Sequence, residues 1–393
     1  MIPQTEIIPA ELIASEAFRE ALGIAAHHAR DVDREARFPT HAMEALRAAG
    51  ALGWGVPREF GGAGARIEDL AGATLQLSRR CASSGMIFAM HQIQVACITR
   101  HMAGSRWFAD YLRRVVHEQR LIASATSESG VGGDVRRSNA ALCPVSDNGD
   151  GLVGFEKKAS TISYGAQTDD LLTTLRRAPD AEHSDQVLVL TMNRQMQLTP
   201  TGEWDTLGMR GTCSPGFAVK ARCHADQVLP VPFASIAAET MVPYSHILWS
   251  HVWLGIALDA FERAQNFVRE QARRTPGVTP PAALRLSELS ARMAQFRALV
   301  EASLEEFRSA ERPKLSTVGY ALRINNLKIA ASEAAVEICE GALRVCGLAG
   351  YGNAGPFSVG RNLRDAHSAV LMIANDRLHA TNAALLTVHR EGK

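Results

Sequence analysis

The chain has 393 residues, 46% of them hydrophobic and 21% charged, so its length and composition are those of a globular protein with two or three domains. A formal net charge of +1 gives no electrostatic reason to expect nucleic acid or an anionic membrane surface as a partner. No apolar run approaches the roughly 20 residues of a membrane span, no signal-like basic segment begins the sequence, and the seven scattered cysteines lack zinc-ligand spacing, which together favour the reducing cytoplasm.

The first zone, residues 1–122, has a helical composition. In THAMEALRAAGALG, Ala42, Leu46 and Ala49 recur at helical spacing, and glycines follow where the pattern stops. A loop at 56–65, VPREFGGAGA, then interrupts the zone with one proline and three glycines. We therefore expect an all-helical N-terminal domain.

The second zone, residues 123–235, changes to strand patterns. QVLVLTM at 186–192 is a β-branched apolar run typical of a buried strand. In GFAVKARCHA at 216–225, apolar and polar side chains alternate with the period of two of a half-buried strand. Gly and Asx residues mark hairpin turns between such runs. This zone predicts a central β-domain.

The third zone, residues 236–393, is helical again. Its clearest element is an apolar stripe with steps of three and four residues, as expected for a bundle helix. Because helices and strands are grouped rather than interleaved, the sequence disfavours a doubly wound parallel sheet. No GxGxxG motif supports a nicotinamide-binding unit. The stripe consists of Leu286, Leu289, Met293, Phe296, Val300, Leu304 and Phe307.

Several motifs, taken in chain order, resemble the acyl-CoA dehydrogenase superfamily over nearly the whole chain. FP at 38–39 with VPREFGGAG at 56–64 resembles the family's FP…VPExyGG pattern, and 324–352 resembles its AKxxASExA…QxxGGxGY helix. The resemblance implies an FAD-dependent oxidoreductase that forms a homodimer or homotetramer. It also implies an α+β fold with an N-terminal helical domain, a central β-barrel or sandwich and a C-terminal four-helix bundle.

Two segments of the central zone resemble flavin-contacting motifs of the family. SESGVGGDV at 127–135 resembles TEPGAGSDV, and its glycines would let backbone N–H groups approach a ligand closely. STISYG at 160–165 resembles W-I-T-N-G, with a serine keeping the hydroxyl that can bond the flavin. The loop is also implied to contact the substrate through Gly133. The implied flavin contacts are Thr126, Ser127, Gly132, Thr161, Ile162 and Ser163.

Other cofactor contacts are implied in the third zone. RRTPG resembles the family's R-x-T-F-G, in which the Arg reaches across a subunit interface to the FAD pyrophosphate, so Arg273 and Thr275 are implied to bind FAD. A guanidinium suits this role because its planar donors stay charged. The same resemblance implies cofactor contacts from Arg344, Gly347 and Asn375.

The usual catalytic glutamate is missing. RDAHSAVLMIANDR at 364–377 resembles RDARITTIYEGTSEIQ, and the alignment places Ile373 at the glutamate position. A minority of the family carries the glutamate on the first C-terminal helix, where this chain has Ser245, and His246 replaces a residue that holds the CoA pantetheine. These three residues are implied to face the substrate. Removal of an α-proton needs a base, and the nearest carboxylate is Asp376, which could equally cap a helix.

Three functions remain open. The sequence favours dehydrogenation of an acyl thioester, carried by coenzyme A or a carrier protein, with Asp376 as the base and an electron-transfer flavoprotein as acceptor. The alternative is a flavin monooxygenase or N-hydroxylase, which uses O₂ through a C4a-(hydro)peroxyflavin and needs no glutamate. His91, in MIFAMHQIQV, is its candidate catalytic residue, although a histidine on an apolar face is more often a core residue. The third is a flavin-binding protein without redox activity.

Overall fold

The computed structural model describes residues 9–131, 135–145, 151–310 and 312–389. Its first part is helical, as predicted. Ser15 and Ser105 begin two of the helices, because each hydroxyl accepts a hydrogen bond from the backbone N–H three residues further on. The helices are α1 (Pro9–Ala14), α2 (Glu16–Glu35), α3 (Thr40–Ala48), α4 (Ile67–Arg80), α5 (Ala82–His101) and α6 (Arg106–Glu118). α5 is buried on almost every side and forms the centre of this region.

The central region contains two sheets. The strands are β1 (Ile122–Ala125), β2 (Cys143–Pro144), β3 (Leu152–Ala159), β4 (Asp170–Arg176), β5 (Gln186–Met192), β6 (Met196–Pro200) and β7 (Phe217–His224). One sheet has the order β1-β4-β5, with β1 and β4 parallel, and the other is antiparallel with the order β2-β3-β7-β6. Both predicted strands are confirmed: β5 is buried throughout, and β7 buries alternate residues.

The last region is a helical bundle. It contains α7 (Phe233–Ile236), α8 (Val242–Arg274), α9 (Ala282–Ser309), α10 (Arg312–Leu315), α11 (Val318–Cys346), α12 (Leu348–Tyr351), α13 (Gly360–Leu371) and α14 (Asn375–Leu386). α8, α9 and α11 pack against one another, and α13 covers α8 and α11. The predicted apolar stripe lies on α9, where five of its members are buried and the other two half-buried.

The three regions meet at α13. Arg364 donates to the Asp33 carboxylate of α2 at 2.8 Å, while the neighbouring Asp365 accepts from the Met209 N–H at 2.6 Å. Gly208 must be glycine here, because a Cβ would stand 2.0 Å from the Arg364 carbonyl oxygen. The helix–strand–helix architecture expected from the sequence is therefore observed. The domain limits after residues 122 and 235 stay predictions.

Candidate active site

The loop after β1 and the segment after β3 are joined at one pair of residues. Thr126 and Ser127 follow β1 directly and are half-buried. The Ser127 hydroxyl donates to the Thr161 carbonyl at 2.7 Å and accepts from the Thr161 N–H at 3.1 Å. Thr161 is exposed. These reciprocal bonds bring together two segments that the sequence assigned to the flavin, and the exposed Thr161 hydroxyl also donates to that of Ser127 at 3.4 Å.

A second loop holds Ile162 and Ser163 from the other side. The Ile162 N–H donates to a carbonyl of the 208–216 loop at 3.0 Å, and the Ser214 hydroxyl donates to that of Ser163 at 2.9 Å. The Ser214 hydroxyl has one proton and also lies 2.9 Å from the Thr212 hydroxyl, so the half-buried Ser163 hydroxyl is available to a ligand as a donor or an acceptor. Sequence reasoning missed Ser214, because a hydroxyl pair between distant loops leaves no local pattern.

Strained backbone conformations are found in both the 160–165 segment and the 208–216 loop. Among the described residues, seven non-glycine residues have a positive φ, and three of them, Tyr164, Met209 and Cys213, lie here. Such conformations cost free energy and persist only where surrounding contacts enforce them. One of those contacts is the buried Tyr164 hydroxyl, which donates to the Ile122 carbonyl at 2.9 Å. This bond is one of the contacts that hold the strained loop conformation in place.

Behind Ser127, a buried carboxylate organises the loop that follows. Glu128 accepts from the Ser138 hydroxyl at 2.7 Å and from the Ala140 N–H at 2.8 Å. The Lys157 ammonium lies 3.7 Å from the same carboxylate and is also buried. Burial lowers the pKa of Lys157 to about 8, against the opposing effect of Glu128. The predicted ligand residues Gly132 and Gly133 lie outside the described residues.

His91 occupies the core rather than an open site. Its Nε2 lies 2.8 Å from the Leu52 carbonyl, and its Nδ1 accepts from the Ile122 N–H at 3.1 Å. The carbonyl needs a donor and the N–H needs an acceptor, so the neutral Nε2–H tautomer satisfies both. Burial lowers the pKa of His91 to about 4, which keeps the ring neutral. The ring has no nitrogen left for a substrate, so His91 joins α5 to β1.

The family's usual base position lies in the turn between α13 and α14. Ile373 has a φ of 48° and is half-buried, an uncommon backbone conformation for a β-branched residue. Asp376 is exposed in the first turn of α14. The Asn375 amide instead faces inward, where its Oδ1 accepts from the Lys328 ammonium at 2.6 Å and its Nδ2 donates to the Ser332 hydroxyl at 3.1 Å.

The two substrate residues predicted on α8 are both buried. Ser245 and His246 lie in the first turns of that helix. His246 faces the backbone of Ile324 on α11, yet neither ring nitrogen makes a hydrogen bond of normal geometry to any residue that the structure describes. Lys328, also buried, lies 5.7 Å from the centre of the Trp253 ring. The sequence analysis did not identify Lys328 or Trp253. A lysine within the apolar run of α11 was nevertheless a usable signal.

Family models settle the relationship of the chain to known proteins. The acyl-CoA dehydrogenase N-terminal domain matches residues 11–117, and the acyl-CoA dehydrogenase C-terminal domain matches residues 237–372. The chain belongs to the acyl-CoA dehydrogenase family. It is thus a flavin-binding oxidoreductase, and the resemblance seen in the sequence is confirmed.

Several named relatives of this family member are oxygenases. A dibenzothiophene monooxygenase of Rhodococcus qingshengii is 27% identical over 252 residues, which are 61% of this chain and 58% of that protein. A 3-sulfinopropanoyl-CoA desulfinase of Paraburkholderia xenovorans (strain LB400) is 26% identical over 90% of this chain and 89% of its own. FMN-bound TdsC from Paenibacillus sp. A11-2 superimposes with a TM-score of 0.80 at 22% identity, covering 96% of this chain and 98% of that one. The last likeness shows the fold alone.

The remaining predicted cofactor residues of this family member lie at the other end of the bundle. Arg273 and Thr275 are exposed where α8 ends, 28 residues after Ser245, or about 42 Å along a helix. Arg344 and Gly347, at the end of α11, line a groove of about 730 Å³ together with Arg285. One small ligand cannot contact both ends of α8 in one subunit. No helix in the described part of the chain is long and apolar enough to span a membrane.

Proposed function

We propose that this member of the acyl-CoA dehydrogenase family is a flavin-dependent monooxygenase. The proposal rests on the two sequence positions at which members of the family carry the glutamate that removes an α-proton. Neither position holds a carboxylate in this chain. They hold Ile373 and Ser245, neither of which can accept a proton from a carbon acid. Asp376, the nearest carboxylate in sequence, is exposed on α14. The relative named as a dibenzothiophene monooxygenase supports oxygenation over the thioester dehydrogenation that the sequence favoured.

A bound reduced flavin would supply two electrons to O₂, so that one oxygen atom enters the substrate and the other leaves as water. The residues of the chain have a simpler task, which is to bind and orient. Ser127 and Thr161 would line one side of the flavin site, because their mutual hydrogen bonds hold the two segments together there. Ser163 would donate its hydroxyl proton to an acceptor on the flavin or on oxygen, with the Ser214 hydroxyl 2.9 Å away holding it in position.

We propose FMN as this flavin, in place of the FAD expected from the sequence. The FMN-bound relative supports the shorter cofactor. So does Pro276, which stands where the family's R-x-T-F-G motif has phenylalanine. FAD remains the second candidate because Arg273, Arg285 and Arg344 offer guanidinium groups suited to a pyrophosphate.

The distance along α8 determines how FAD could bind. Arg273 is too far from Ser245 to serve the same subunit's site, so it would reach FAD only in a homodimer or homotetramer. The exposed apolar side chains of Leu284 and Leu348, which line the groove, favour such an assembly. If FAD is the cofactor, Arg273→Ala weakens FAD retention and assembly together. If FMN is the cofactor, Arg273→Ala leaves FMN affinity unchanged, which equilibrium dialysis measures directly.

The reaction is tested with the flavin-loaded protein and two kinds of substrate. Reduced protein is mixed with isotopically labelled O₂ and an aromatic sulfur heterocycle or an alkane sulfinate, and the product is analysed by mass spectrometry. We expect one labelled oxygen atom in the product. In parallel, the oxidised protein is mixed anaerobically with a series of acyl-CoA thioesters, and we expect no bleaching of the flavin band.

Bleaching by an acyl-CoA would overturn the proposal and restore the dehydrogenase. Reoxidation that yields only hydrogen peroxide across the whole substrate series, with neither labelled product nor bleaching, would favour the flavin-binding protein without a redox substrate. The Ser163→Ala variant serves as a control for the site, because it should lower product formation while the fold stays intact.

A further inference from the structure

One face of α8 carries side chains whose polar atoms make no hydrogen bond to any described residue. His246, Trp249 and Trp253 are separated by three and four residues, so they share a face of the helix. All three are buried, and among the described residues both imidazole nitrogens and both indole N–H groups lack a hydrogen-bond partner. A buried polar group without a partner costs free energy and is rare in native proteins. This face therefore has unmet hydrogen-bonding capacity in the interior of the bundle.

A buried cation faces the same region from α11. Lys328 is fully buried, 5.7 Å from the Trp253 ring centre, and its positive charge opposes protonation of His246. Burial lowers the pKa of Lys328 to about 8, so the side chain is still an ammonium at neutral pH. Its described acceptor is a neutral one, the Asn375 amide oxygen. The negative charge that opposes this shift is that of Glu333, which is exposed.

Donors outnumber acceptors in this cluster. An ammonium has three N–H groups, of which the Asn375 oxygen takes one, and each indole adds one more donor. Burial lowers the pKa of His246 to about 3, so the neutral ring contributes one donor and one acceptor. A buried positive charge is stable only when it is paired or well hydrogen-bonded. An oxyanion would compensate the charge and accept from these donors at the same time.

The geometry points to an anion-binding site between α8 and α11, formed by Lys328, His246, Trp249 and Trp253, that takes a carboxylate, sulfinate or sulfonate group. Asn375 connects this site to the turn that carries Ile373, where the family's base would stand. In this assignment, which rests on the proposed function, the anion is the acidic group of the oxygenated substrate. Binding of a small anion by itself does not depend on that function.

The test compares two probes of the same shape. Methanesulfonate and dimethyl sulfone differ mainly in one negative charge, and each is titrated into the flavin-loaded protein by calorimetry at constant ionic strength. We expect methanesulfonate to bind and dimethyl sulfone not to compete with it. Trp253→Phe keeps an aromatic ring but removes a donor, so it should weaken binding several-fold. Lys328→Met should weaken binding at least about 10-fold, the value of one charge-assisted hydrogen bond.

The matched control is Lys220→Met, which removes an exposed lysine of β7 and should leave methanesulfonate binding unchanged. Equal losses in the Lys220 and Lys328 variants would mean surface binding only and would overturn the assignment. Equal affinity for the two probes would do the same. If Lys328→Met does not fold, bromide-soaked crystals of the unaltered protein decide the matter. An anomalous peak near the Lys328 ammonium is expected, and water alone there excludes the site.

If no substrate is oxygenated while methanesulfonate still binds at Lys328, the proposed function is wrong and the anion site stands. Oxygenation of a neutral heterocycle without any binding of methanesulfonate would do the reverse.

Discussion

The Lys157 ammonium lies 3.7 Å from the Glu128 carboxylate, and both side chains are closed to solvent. Glu128 is the residue after Ser127, so this ion pair lies directly beneath the loop that we assign to the flavin. We expect Lys157→Met to destabilise the protein by about 3–5 kcal/mol, because it leaves a buried carboxylate without its counter-charge. Urea unfolding of the single variants and of the double variant with Glu128→Gln measures the effect. A loss below about 1 kcal/mol for Lys157→Met would mean that the hydrogen bonds to Glu128 suffice without the lysine.

Ser163→Ala should weaken flavin binding by about 2- to 10-fold, which corresponds to the loss of one neutral hydrogen bond. Ser214→Ala should cause a smaller loss of flavin affinity. It removes the hydroxyl that orients Ser163 but leaves the contact between Ser163 and the flavin. Fluorescence titration of the protein with FMN gives both values. Ser129→Ala provides the control, since that residue is exposed and its backbone N–H bond to the Lys158 carbonyl survives the change. Equal affinity in all three variants would remove Ser163 from the site.

Asp376→Asn should change turnover by less than about 10-fold, because the exposed carboxylate has no catalytic role in an oxygenase. A positioned general base would instead contribute about 100-fold or more. Single-turnover kinetics of the loaded protein separate the two cases, and flavin content serves as the check on folding. A loss of about 100-fold with flavin still bound would return Asp376 to the role of base and favour the dehydrogenase.

Asp365 should make stability depend on pH. Burial raises the pKa of its carboxyl to about 6, although the hydrogen bond from the Met209 N–H opposes the shift. The folded protein therefore binds a proton that the unfolded chain releases, and the stability from this proton is lost as the pH rises through about 6. Compared with Asp365→Asn, the unaltered protein should lose up to about 3 kcal/mol between about pH 4 and about pH 8. Unfolding midpoints of both proteins across this range test the sign; parallel curves would mean that Asp365 is ionised at an ordinary pKa.

Much of the architecture can be read from the sequence because it follows from local periodicity. β7 alternates buried and open side chains as its sequence does, and the apolar stripe of α9 lies on one side of the helix. Site residues within short motifs can also be found, as Ser127 and Thr161 illustrate. Contacts between distant segments cannot be read in this way. The role of His91 depends on a carbonyl 39 residues earlier and an N–H 31 residues later.

The cluster at Lys328 shows the same difficulty in the C-terminal bundle. Lys328 and Asn375 are 47 residues apart, and neither has a neighbour in sequence that indicates the other. A lysine among apolar residues does signal an unusual environment. It does not reveal that the Trp253 indole of another helix shares that environment, because only the packing of α8 on α11 brings the two side chains together.

Arg364 and Asp365 are consecutive residues that hold different parts of the molecule, one through Asp33 of α2 and the other through the Met209 N–H. Exchange of the C-terminal bundle between relatives would therefore succeed only if the donor brings partners that suit both sequences at once. The same pair ties the three regions together at this point. We therefore expect substrate to enter by movement of side chains or of a short loop, so that the rate of entry varies little with interdomain crosslinking.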